Sequence, residues 1–129
     1  MCPARDTGVA LVMTRLDTQA MNLFLAELAQ AVAPGAHAVV LMDRAGWHIA
    51  GDLVVPDNIT PVFLPPYSPE LNPIERLWLY LKESRLTHRV FRGTADIIDA
   101  CCDAWNDLLA ETGRINSLCA YPWLQKVSR

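Results

Sequence analysis

The chain has 129 residues, 52% hydrophobic and 19% charged, with a formal net charge of −3. That size suits one domain with a real core, and the composition is that of an ordinary globular protein. No apolar run reaches the roughly 20 residues needed to span a bilayer, and no basic-then-apolar leader opens the chain. The acidic balance argues against a general nucleic-acid binder.

In chain order, "ARDTG" is turn-like and leads into "GVALVMT" (8–14), a predicted strand. Asp17 or Thr18 then caps a predicted helix. Met21, Phe24, Leu25, Leu28 and Val32 repeat along it at helical spacing, and "APG" at 33–35 ends it. "HAVVLMD" (37–43) is almost wholly apolar and stops at Asp43, as expected of a parallel strand buried on both faces. "GWHIAGDLVVP" (46–56) is expected to form a short helix and "TPVFLP" (60–65) a second buried strand. In "LPPYSPELNPIERLW" (64–78), Asn72 suits a helix cap, Pro73 the first helical position and Glu75 the third. Ile74, Leu77, Trp78 and Leu81 make one apolar stripe. A last helix is predicted from about Thr94 to Glu111, with Ile98, Cys102, Trp105 and Leu109 facing inward. Alternation of strands and helices means an α/β protein.

Cys2, Cys101, Cys102 and Cys119 form no CxxC pair and have no histidine at zinc-ligand spacing. They are expected to be reduced thiols of a cytoplasmic protein. Trp47, Trp78, Trp105 and Trp123 are expected as core or shoulder residues rather than base-stacking platforms. From Arg76 to Arg92, five Lys or Arg face one acid, Glu83, a local +4 that leaves −7 for the rest. Such a stripe is either a footprint for a polyanion or a solvated helix face.

Two carboxylates stand out by placement. Asp43 closes a buried strand, and ligands of α/β sheets gather outside the carboxyl ends of strands. Glu75 opens a helix 32 positions later. A crossover between parallel strands would bring the two together, and oxygen ligands favour Mg²⁺ or Mn²⁺. Each residue also has a purely structural reading: turn chemistry for Asp43 and a capping box for Glu75. His48 either assists such a site or is an ordinary hydrogen-bonding histidine. The PxxP segment "PYSP" is also the type bound by SH3-like domains, but structured elements flank it.

"VVLMDRAGWH" followed by "LPPYSPELNPIERLWLYLK" resembles the catalytic domain of DDE transposases, in the mariner-like superfamily of bacterial insertion sequences. "CPARDTG" and "APGAHAVVLMD" extend the resemblance upstream. The resemblance implies a ribonuclease H-like three-layer sandwich, with its core at 7–92 and a helical part at 93–129. It implies DNA cleavage and strand transfer by two divalent metals, Mg²⁺ or Mn²⁺, held by three acids. Asp43 matches the family's second acid, Glu75 its third, and His48 a supporting histidine. Arg44 stands where many relatives carry asparagine. Lys82, Arg85, Arg89 and Arg92 then become candidates for holding phosphates of transposon ends and target DNA. The family commonly works as a dimer.

No residue here matches the family's first acid, on the first strand, and no helix-turn-helix region is found. The resemblance therefore implies an incomplete sandwich, lacking the first strand and most of the second, in a truncated chain inactive alone. Its partner would be the missing N-terminal half or a full-length transposase. An alternative is a non-catalytic interaction protein that regulates an intact transposase. A self-sufficient small nuclease would instead need Asp6, Asp17 or Asp52 as its third acid.

Overall fold

The computed structural model describes residues 1–45 and 51–127. The chain forms two compact units, one Met13–Asn72, the other Met1–Val12 with Pro73–Arg129.

In the first unit, helix α1 spans Thr18–Ala31, and the Asp17 carboxylate caps it by accepting from the Ala20 N–H at 2.8 Å. It ends before a turn at Gly35, whose φ of +75° suits glycine. Strands β1 (Ala38–Met42) and β2 (Ile59–Phe63) pair in parallel, in register from Ala38 opposite Ile59 to Met42 opposite Phe63. Both were predicted, since short apolar β-branched runs carry their own signal. The link between them is stitched to α1. The Asn22 amide donates to Asp52 O at 3.3 Å and accepts from Val54 N at 2.7 Å, and Asn58 Nδ2 donates to Ala29 O at 3.0 Å. Of the helix expected over 46–56, residues 46–50 lie outside the described residues, and 51–56 are turn and irregular chain instead.

The faces of this ribbon differ. Met42 and Ile59 are buried, whereas Val39 and Val62, on the opposite face, are 61% and 42% exposed. The expectation of strands buried on both faces therefore fails for this pair. Ladder bonds run from Ala38 N to Asn58 O and from Leu64 N to Met42 O, both at 2.8 Å. Even-numbered residues on each strand thus face the partner strand. Pro61, odd-numbered, directs its hydrogen-free nitrogen to the outer edge, where no bond to β1 is lost.

The second unit is helical. Helix α2 (Ile74–Leu81) runs into a single π-helical turn (Lys82–Leu86) and is followed by α3 (Thr94–Ala110), α4 (Arg114–Cys119) and α5 (Pro122–Val127). Leu77 and Leu81 of α2, Ala104 and Leu108 of α3, and Ile115 and Cys119 of α4 form its core. Trp105 lies over Gly8, where an added Cβ would meet the indole at 3.0 Å, so glycine is what permits the contact. The N-terminal turn is fastened to α4. The Asp6 carboxylate accepts from the backbone N–H groups of Gly113 and, at 3.1 Å, Asn116, while Asn116 Nδ2 donates to Pro3 O at 2.9 Å. Asp6, considered as a replacement acid, is thus taken up by capping a helix, and these bonds hold its carboxyl below the usual range.

Three expectations change. Segment 8–14 is not a strand: it has no ladder partner among the described residues, and Leu11, Val12 and Met13 are exposed. β-Leaning composition does not make a strand without a neighbour to bond. On α3 the buried stripe is Ala100, Ala104 and Leu108, while Cys102 and Leu109 point outward. Small alanines at i and i+4 let the neighbouring helices approach, which turns the larger residues out. Trp78 leaves the apolar stripe of α2 and is 50% exposed.

The α/β class stands. A two-stranded parallel sheet is too little to define a three-layer ribonuclease H-like sandwich. No described helix is long and apolar enough to cross a membrane.

Leu108 and its neighbour Leu109 test the rotated face of α3. Leu108→Ala should cost about 2–5 kcal/mol and Leu109→Ala below about 1 kcal/mol, as read from urea midpoints. Equal costs would contradict the observed rotation.

Candidate functional site

Asp43 follows the last residue of β1 and is exposed, with Oδ1 accepting from the Ala45 N–H at 3.1 Å. That is an Asx turn, the bland role anticipated for it, and it fixes the carboxylate at the strand's carboxyl end. Beside it the two strand ends are clamped. Leu64 N donates to Met42 O at 2.8 Å, and Arg44 Nε donates to Leu64 O at 3.3 Å. The Asp43 turn and the proline loop therefore leave the sheet side by side, at the end where α/β proteins place ligands.

The loop is stiffened by Pro65, Pro66 and Pro69. Tyr67 sits at φ +55° with its ring wholly exposed, and Pro69–Leu71 forms a 3-10 turn. The turn closes when Asn72 N donates to Pro69 O at 2.9 Å. Asn72 is extended and Pro73 already has helical dihedrals, so proline occupies the helix entrance as its fixed φ favours. The Pro73 carbonyl accepts from the buried Cys119 thiol at 3.4 Å, which seats the start of α2 on α4.

Glu75 lies in the first turn of α2, exposed. In a capping box its carboxylate would take the Asn72 N–H. That N–H is bonded to Pro69 O instead, and the Glu75 carboxylate makes no hydrogen bond or ion pair among the described residues. Asp43 and Glu75 belong to different units. His48 lies outside the described residues.

The basic flank divides. Arg85 is committed within the protein, with Nη1 to Asp107 at 3.1 Å and Nη2 to Glu111 at 2.5 Å. Glu111 is the hub: it also accepts from Arg114 at 2.6 Å and from the Tyr80 hydroxyl at 2.8 and 3.0 Å. The Arg114, Tyr80 and Arg85 bonds pull its carboxyl from the ordinary 4.5 to about 2. Sequence reading missed this hub, because only Arg114 is local, three positions on, while Arg85 and Tyr80 lie 26 and 31 positions away with no pattern to join them. Lys82, Arg89 and Arg92 are exposed, their side chains without an ion-pair partner among the described residues. Arg89 stands 5.8 Å from the Phe91 ring.

A model of the DDE superfamily endonucleases matches residues 1–98, a stretch that includes Asp43, Glu75 and the whole basic flank. The chain belongs to the DDE superfamily endonucleases. A protein of Sinorhizobium fredii (strain NBRC 101917 / NGR234), named "Uncharacterized protein y4pE/y4sA", is 44% identical over 126 residues, covering 98% of this chain and 93% of its own. No solved structure matches.

DDE superfamily domains generally depend on divalent metals, so the residues of this endonuclease domain can be tested against one. Among the described residues no three His, Cys, Asp or Glu gather to hold an ion. Two carboxylates in separate units fall short of the three-acid set that the resemblance implies. The described residues do not make a two-metal centre, and no chemical step follows through one.

Glu111 sets a pH dependence. A carboxylate with a depressed folded-state pKa stabilises the fold above its unfolded pKa, and that stability is lost as pH falls through the folded value. Melting temperature should therefore drop between the ordinary 4.5 and about 2, and Glu111→Gln should flatten that limb. Parallel slopes for both proteins in a circular-dichroism pH series would remove Glu111 from its place as hub.

Proposed function

We propose that this chain carries two acids, Asp43 and Glu75, of a transposase-type DNA-cutting and joining site on a ribonuclease H-like scaffold, and that the chain alone is inactive. One observation supports this most: Glu75 is exposed at the head of α2 while the helix entrance is closed by the Pro69–Asn72 bond. A glutamate not used as a cap, set in the motif that the family match covers, is available for chemistry. Asp43, anchored at the carboxyl end of β1, is placed as a ligand-binding residue of an α/β sheet would be. His48 has a supporting role. Lys82, Arg89 and Arg92 hold DNA phosphates, whereas the charge of Arg85 is already matched by Asp107 and Glu111. The three-acid logic of the family predicts weak metal binding from two acids, hence no independent cleavage.

A second reading has its own support. The outer edge of β1 carries the backbone groups of Val39 and Leu41 with no ladder partner among the described residues, beside the exposed Val39 and Val62. Such an edge accepts a strand from another chain. On this reading the protein joins an intact transposase and regulates it without cutting DNA.

Supercoiled plasmid incubated with the purified chain and Mg²⁺ or Mn²⁺ should stay intact. Nicking that vanishes in Asp43→Ala and Glu75→Ala would support the two acids and refute the inactivity. Co-purification with a full-length transposase, with loss of its activity, would favour the second reading. The basic flank is measured separately: Lys82→Ala should reduce the salt slope of DNA binding by about one, and Arg85→Ala should leave that slope unchanged.

A further inference from the structure

Helix α2 presents two unlike sides. Leu77 and Leu81 are buried, while Glu75, Trp78 and Lys82, spaced three and four residues apart, are all exposed. Residues at those intervals are neighbours on one helix face. Trp78 therefore stands one turn beyond the carboxylate assigned to chemistry and one turn before a lysine with no ion-pair partner among the described residues.

A single exposed apolar side chain needs no explanation. Here the side chain is an indole, 50% exposed, with Leu79 beside it at 54%. Its surroundings separate the two kinds of partner an exposed indole can take. A protein interface would be expected to be poor in charge at its centre. Trp78 instead lies in the segment that carries Lys82, Arg89 and Arg92, all exposed and without an ion-pair partner among the described residues. A flat aromatic face next to a free ammonium group is the arrangement that binds unpaired nucleotides: the ring stacks a base and the cation takes the adjacent phosphate. The π-helical turn beginning at Lys82 widens the backbone where the lysine projects, and such turns recur at functional sites.

We propose that Trp78 stacks an unpaired base of the DNA strand at the cut end, with Lys82 on a neighbouring phosphate. This rests on the reading of Glu75 as a residue of the DNA site. Trp78 acts on the position of the strand, not on the reacting bond, and every base offers it a π-face, so it confers little sequence preference.

Binding of the full chain to a fluorescein-labelled single-stranded oligonucleotide and to its duplex, by anisotropy in EDTA, tests it without any cleavage. Trp78→Ala should weaken single-strand binding by roughly 5- to 150-fold, with a smaller effect on the duplex. Trp78→Phe should restore most of the loss and Trp78→Leu little of it, circular dichroism confirming that all three fold. A leucine variant that binds as well as wild type overturns the stacking, as does an alanine variant that binds normally while Lys82→Ala is impaired. The latter result leaves the DNA reading intact. A change in oligomeric state on Trp78→Ala, with DNA binding unaltered, overturns it in favour of a protein contact. Wild-type protein that binds neither DNA without metal overturns the stacking and the phosphate-binding flank together.

Discussion

The clamp at the carboxyl ends of β1 and β2 governs what the first unit can offer. Two backbone-directed bonds, Leu64 N to Met42 O and Arg44 Nε to Leu64 O, hold two loops at one end of a ribbon only five residues long. A two-stranded sheet is marginal by itself, so the side-chain stitches from Asn22 and Asn58 to the crossover matter beyond their number. They keep the link between the strands against α1. Asp43 owes its fixed position to this arrangement, since an exposed carboxylate on a loose turn would sample many directions.

The second unit solves a different problem. Apart from α3 its helices are short, and two of them have only six residues, too few to be stable without tertiary contacts. Leucines from α2 and α3 supply the apolar contacts, and polar groups fix the ends. Asp6 caps α4 from the far end of the sequence, and Glu111 gathers Arg85, Arg114 and Tyr80 at the end of α3. Arg85 lies in the π-helical turn, so its ion pairs also bind that turn to α3. This explains how one basic residue of the Arg76–Arg92 segment can be structural while Lys82, Arg89 and Arg92 remain open to solvent.

Local signals carried the sequence reading well and distant ones did not. Asp17 before α1, the apolar runs of β1 and β2, and the Asn72-Pro73 entrance to α2 were legible because each depends on a few adjacent residues. The face of α3 was misjudged in part: Trp105 packs on the core as expected, but Cys102 and Leu109 turn outward, because large apolar residues outweigh alanine in any periodic pattern whereas close helix packing selects the alanines. Segment 8–14 has the composition of a strand, but composition does not name a bonding partner. Asp6 reaches Gly113 across 107 positions, beyond any motif. At Glu75 the residue alone favoured a cap and the surrounding motif favoured chemistry, and the engaged Asn72 N–H removes the cap. The association of Asp43 with Glu75 was expected from the parallel crossover and from the family motif, and it stands as the proposal built on them.

Pro61 makes the small sheet directional. Its outward-facing ring denies a regular ladder to the outer edge of β2, so any strand that joins the sheet must come to β1. Two chains that met through their β1 edges would leave both proline edges outermost, and growth would stop there. The same residue that is harmless to the internal ladder thus turns an open-ended template into a self-terminating one. A β1 edge with no ladder partner among the described residues can then persist in a cell without seeding fibres.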